Sequence, residues 1–152
     1  MYNFVSQISE RCHRSATRRG KDTSCLGCLK YLHAEFSEYW AAFDEGRNAP
    51  KIDDIMRQVR TIPADDFVAY YHASVHNTAV DELADILIVA ASWYEAARLA
   101  GDLNEDVRTI DVVLLNGAVH FVNSQLKHLR ISASDLRQIV FYKMQYNELR
   151  ND

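Results

Sequence analysis

Apolar positions along this chain return every third or fourth residue, the spacing that lines one face of a helix. Nowhere do apolar and polar residues alternate long enough to make a strand. The pattern and its punctuation predict helices over residues 3–14 and 25–43, the second capped by Ser24 at the end of a loop at 15–24 rich in Ser, Thr, Gly and Arg. Gly46 to Pro50 breaks the chain. Short helices follow at 51–60 and, opened by Pro63, at 64–71. Thr78 caps a long helix over 80–99 that stops at Gly101, Asn104 caps another reaching Leu129, and Ser132 or Ser134 starts a last one running to about Arg150. The expectation is a single all-α domain over residues 1–152, a bundle of about five to seven helices.

Composition agrees. Of 152 residues, 48% are hydrophobic and 25% charged, ordinary values for one globular domain, and five Gly with two Pro leave little room for turn-dense β architectures. The longest apolar run, Ile86 to Ala91, falls far short of the roughly 20 residues that span a membrane. Residues 1–10 lack the basic and apolar regions of a secretory signal, so a cytoplasmic protein is expected. Three cysteines, Cys12, Cys25 and Cys28, make an odd count and no disulfide framework. A net charge of −4 argues against nucleic acid as a partner. Against that background, Arg11, Arg14, Arg18, Arg19 and Lys21 form a local basic segment suited to phosphate.

Acidic residues occur where the helical pattern is most apolar. At about 100° per residue, Leu83, Ile86, Leu87, Val89, Ala90, Trp93, Tyr94 and Ala97 cover most of the 80–99 helix, and Glu82 and Asp85 fall within that arc or at its edge. A buried ionised carboxylate costs several kcal/mol unless it is paired or bound to a metal, so a cation should face them. In the 25–43 helix, Cys25, Leu29, Leu32, Phe36, Tyr39 and Phe43 make the apolar stripe, with Glu35 and Glu38 on one flank. Each acidic pair is spaced i, i+3, close enough to share a divalent ion, and two pairs on facing helices make an oxygen-only cage for Mg²⁺ or Mn²⁺. Either pair alone is a common solvated helix face.

The last helix brings positive charge to the same problem. Leu136, Val140, Lys143, Asn147 and Arg150 fall within about 80° on a helical wheel, so the polar trio continues a core-facing stripe and suits a polyanion.

Together, Glu35-x-x-Glu38, Glu82-x-x-Asp85 and the Lys143, Asn147, Arg150 spacing resemble the all-α nucleoside triphosphate pyrophosphohydrolase superfamily, the MazG-like group. Leu32 to Trp40 is similar to the first metal helix of that group and Val80 to Ile88 to the second. The resemblance implies Mg²⁺-dependent hydrolysis of nucleoside or deoxynucleoside triphosphates to monophosphate and pyrophosphate, by homodimers or homotetramers. It makes Glu35, Glu38, Glu82 and Asp85 the metal ligands and Lys143, Asn147 and Arg150 the substrate-binding residues. Glu38 is the expected proton acceptor for the attacking water. The chain departs from the group in elaborations at about 44–77 and 102–131, and in His76, where a number of members carry lysine. Those departures motivate an alternative, a non-catalytic nucleotide-binding or partner-binding protein on the same fold. A broadly apolar 80–99 helix also predicts self-association, its stripes exceeding what one short chain covers. A zinc site from Cys12, His13, Cys25 and Cys28 is disfavoured, because Cys25 and Cys28 project from the apolar side of their helix.

Overall fold

The computed structural model describes residues 1–101 and 110–150. Among them are seven α-helices and no strand: α1 (Tyr2–Arg18), α2 (Cys25–Asp44), α3 (Ile52–Thr61), α4 (Phe67–Ser74), α5 (Ala79–Leu99), α6 (Ile110–Leu129) and α7 (Ala133–Leu149), with a 3₁₀ turn at Ala64–Asp66 before α4. The all-α expectation holds. Ser24, Thr78 and Ser132 cap α2, α5 and α7, each side chain accepting from a backbone N–H in the first turn. The expected Asn104 cap lies outside the described residues.

Helix α1 runs one turn beyond its expected end, because the break is set by Gly20 rather than by Ser15. Gly20 takes the left-handed conformation (φ 74°) that ends helices, with Gly20 N donating to the Thr17 carbonyl and Lys21 N to that of Ala16.

Helix α5 is the axis of the bundle, packed against α1, α2, α6 and α7. Leu83, Ala84, Ile86, Leu87, Ala90 and Ala91 are buried on different sides of it, as the near-continuous apolar sequence requires. One chain therefore covers α5 by itself, and the expectation that its stripes outrun the available partners is corrected.

The inward seam of α2 also differs from the expected stripe. It follows Cys28, Leu32, Glu35, Tyr39 and Ala42, whereas Leu29 and Phe43 are 39% and 38% exposed. Ring contacts set that rotation: Phe36 meets Phe121 of α6 at 4.7 Å between centroids, and the buried Tyr39 hydroxyl donates to Gln125 Oε1 at 2.7 Å. The consequence is chemical. Glu35 is carried into the seam facing α5 instead of flanking it.

Candidate active site

All seven residues singled out from the sequence line one cavity of about 240 Å³. Helix α2 contributes Glu35 and Glu38, α5 contributes Glu82 and Asp85, and α7 contributes Lys143 and Asn147, with Arg150 one residue beyond its end. A larger cavity of about 430 Å³ lies between residues 48–55, the start of α5 and the α6–α7 turn. Its floor is apolar, with Ile55, Val80 and Ile139 buried there, and none of the converging charges reach it. The chemistry is in the smaller one.

Glu35, Glu38 and Glu82 bring one carboxylate oxygen each within 4.8 Å of one another, a separation that suits a shared cation. Glu35 Oε2 and Glu82 Oε2 are buried with no hydrogen-bond partner. Burial first, then the neighbouring Asp85 and Glu38, push the Glu35 carboxyl up to about 9. Burial, then Asp85 and Asp81, push Glu82 to about 8, with Lys143 opposing. Crowded, desolvated carboxylates with unsatisfied oxygens are what a hard divalent cation would relieve, so the donor set fits Mg²⁺ or Mn²⁺.

Asp85 is placed differently from the expectation. It lines the cavity but stands outside the three-carboxylate group, because its Oδ2 is 2.9 Å from Lys143 Nζ. The same ammonium lies 2.8 Å from Asp81 Oδ2. Burial works against a charged Lys143, yet Asp85 and Asp81 outweigh it and raise its pKa above the ordinary lysine value. The cation expected opposite the α5 carboxylates is thus Lys143 itself, and it meets protein anions rather than waiting for a ligand. The α7 stripe is as expected from Leu136 through Val140 and Lys143 to Asn147, all buried, but the helix ends at Leu149, and Arg150 follows in an extended conformation (ψ 142°) with its guanidinium 5.2 Å from the Tyr146 ring centre.

Asp81 is the residue that sequence reasoning missed. Fully buried, it accepts from the Tyr71 hydroxyl (2.6 Å), Asn77 N (3.0 Å) and Lys143, with His76 Nδ1 at 3.3 Å. Burial alone would raise its pKa; hydrogen bonds from His76, Lys143 and Tyr71 and the Lys143 charge hold it below the ordinary value. Its available signal was the Thr78-x-x-Asp81 spacing at a helix start, where an acidic residue reaches back toward the preceding turn. Asn77 supplies that turn in a left-handed conformation (φ 64°) that Asn tolerates.

The 44–77 segment takes part in the site through Tyr71, His76 and Asn77. His72 and His76 stack at 5.0 Å, and Tyr71 stacks on Tyr146 at 4.9 Å, tying α4 to α7 behind Asp81. Cys12 and Cys28 are free, buried thiols, each pushed up to about 12, chiefly by burial. Raised in this way, they behave as core residues.

The raised carboxyls set a pH dependence. Glu35 and Glu82 bind protons more tightly folded, with values about 9 and 8 against 4.5 in the unfolded chain, so their contribution is whole below the unfolded value and is lost as pH rises through the folded ones. The lowered Asp81 acts only in the acid range. The metal-free protein should therefore lose thermal stability between about pH 5 and pH 9, and saturating Mg²⁺ should remove most of that slope. A melting temperature that rises over this interval without metal would contradict the assignment.

Comparison with family models, with curated proteins and with solved structures yields no match for this chain. No helix among the described residues is long and apolar enough to cross a membrane. The functional reading therefore rests on the site itself.

Proposed function

We propose that the chain is a Mg²⁺-dependent nucleoside triphosphate pyrophosphohydrolase of the MazG-like kind, converting (d)NTP to (d)NMP and pyrophosphate, with Mn²⁺ as a possible replacement metal. The observation that carries this reading is the joining, in one cavity, of three converging carboxylates, two of them with orphaned oxygens, and the Lys143, Asn147 and Arg150 side chains at the end of α7. An oxygen cage beside cationic and amide groups matches the needs of a metal-complexed polyphosphate.

Glu35, Glu38 and Glu82 would hold the metal. When bound, it supplies neutralisation of phosphate oxygens and a more acidic water. Glu38, the most exposed of the three, takes the proton from the attacking water. Arg150 and Asn147 bind phosphate, and Lys143 fixes Asp85 and Asp81 while adding positive potential to the same wall. Arg150→Ala should cost about 2 to 4 kcal/mol in kcat/KM, the range for one preorganised charge-stabilising donor. A truncation after Leu149 should match it, and wild-type turnover in that truncation would remove Arg150 from the site.

The alternative, binding without catalysis, is favoured by the engagement of Asp85 with Lys143, which leaves the metal group one carboxylate short of the expected four. Pyrophosphate release from a panel of canonical and modified triphosphates, with Mg²⁺ and then with EDTA, separates the two. Mg²⁺-dependent release supports the enzyme; binding without release selects the alternative.

The same proposal includes a homodimer or homotetramer. Since α5 is covered within the chain, the expected contact is the α2 face that exposes Leu29, Trp40 and Phe43. Sedimentation of a monomer at micromolar concentration would remove this part.

A further inference from the structure

The connection between α1 and α2 reaches the cavity through Arg19, Lys21 and Thr23, none of which belongs to the metal group or to the α7 face. Its shape is determined at both ends. The Gly20 turn that closes α1 reverses the chain so that Lys21 follows immediately, its ammonium 5.0 Å above the Tyr31 ring, and Tyr31 lines the same cavity. Thr17 and Thr23 hydroxyls meet at 3.2 Å across the base of the loop. Asp22 Oδ1 accepts from Ser24 N (3.0 Å) and Ser24 Oγ (2.7 Å), and Ser24 in turn caps α2 through Gly27 N.

Gly27 explains why the loop can lie so close. A Cβ there would stand 2.4 Å from both Asp22 Cγ and the Asp22 carbonyl oxygen, so any larger residue must push the loop away from α2. Asp22 also lines the cavity, but its carboxylate is committed to Ser24, whose bonds hold its pKa below the ordinary value. Through Arg19, Lys21 and Thr23 the wall presents two cations and a hydroxyl to an occupant, against the single ionised carboxylate of Asp22. Glu35, Glu38 and Glu82, which line the same cavity, offer only acidic oxygens.

We propose that the Arg19–Thr23 loop is a phosphate-binding wall, which takes phosphate groups remote from the metal group and makes the cavity selective for extended polyphosphates over a single phosphate. This rests on the proposed function for the role of the metal group, and it names the substrate class: a chain of two or more linked phosphates that spans from the carboxylates to Lys21. On this proposal an orthophosphate engages one side only. A polyphosphate engages both, and the two contacts reinforce each other because they act on one molecule. Gly27 is accordingly a positioning residue, acting through the loop.

The test uses the full chain and calorimetric titration with inorganic tripolyphosphate and, separately, orthophosphate, each with and without Mn²⁺. Lys21→Ala keeps the loop backbone and removes the ammonium; Gly27→Ala keeps the ammonium and displaces the loop. Both should weaken tripolyphosphate binding by about tenfold, while orthophosphate affinity and Mn²⁺ affinity stay within about twofold. Equal tripolyphosphate affinity in wild type and Lys21→Ala overturns the proposal, whatever Gly27→Ala does to folding. Loss of orthophosphate and tripolyphosphate binding in equal measure also overturns it, since the wall would then not select chain length. If wild type fails to bind Mn²⁺, the proposed function fails. Lys21-dependent binding of tripolyphosphate would still uphold the wall, and absence of that dependence would overturn it as well.

Discussion

Glu82→Gln is expected to lower Mg²⁺-dependent turnover by at least about two to three orders of magnitude while leaving the fold intact. Glu82 is 3% exposed on α5, and its unpartnered Oε2 belongs to the three-carboxylate group. The amide has the same shape but cannot supply a charged ligand oxygen. Because the carboxyl is raised to about 8, the metal-free wild type already carries a proton there at neutral pH, and Gln resembles that protonated form. The variant should therefore match wild type in metal-free stability near pH 7 and exceed it near about pH 9, where wild type pays the cost of ionising a buried acid. Mg²⁺ should no longer raise its melting temperature. Retained turnover, or an unchanged Mg²⁺ effect on melting, would exclude Glu82 as a ligand.

Lys143→Met should produce the largest stability loss of any single change in the site, about 3 to 5 kcal/mol by urea unfolding at neutral pH. Its ammonium, in a residue 1% exposed, is the shared partner of Asp81 and Asp85. Methionine fills similar space, so the loss measures the charge and not a cavity. Asp81 keeps Tyr71, Asn77 N and His76 as partners but loses the ammonium it shares with Asp85. Acid should relieve the defect, since protonating the two aspartates removes the uncompensated charge. Adding Asp85→Asn to Lys143→Met should restore part of the stability for the same reason. A urea midpoint equal to wild type would mean that the pair contributes nothing to the fold.

The helical architecture was legible because the information for it is local. Caps at Ser24, Thr78 and Ser132 bond to N–H groups within three residues, and the α7 stripe from Leu136 to Asn147 is a property of one helix. The orientation of α2 was less legible, since Leu29 and Phe43 are as apolar as Cys28 and Ala42. Only the meeting of Phe36 and Tyr39 with α6 decides which set turns inward.

The site divides along the same line. Carboxylates at i, i+3 on two helices could be read from spacing. The capture of Asp85 by Lys143, and the four donors gathered around Asp81, depend on α7 and the α4–α5 turn arriving together from distant sequence. The basic segment from Arg11 to Lys21 was visible as composition, but its members part company in the fold. Arg11 goes to Glu148, while Arg19 and Lys21 go to the cavity.

³¹P NMR of a nucleoside triphosphate incubated with the protein and Mg²⁺ decides whether the cavity is a pyrophosphohydrolase site. A pyrophosphohydrolase site yields monophosphate and pyrophosphate in equal amounts, with no diphosphate and no orthophosphate, and no reaction once EDTA is added. Diphosphate with orthophosphate, or no Mg²⁺-dependent product from any triphosphate in the panel, would contradict that assignment.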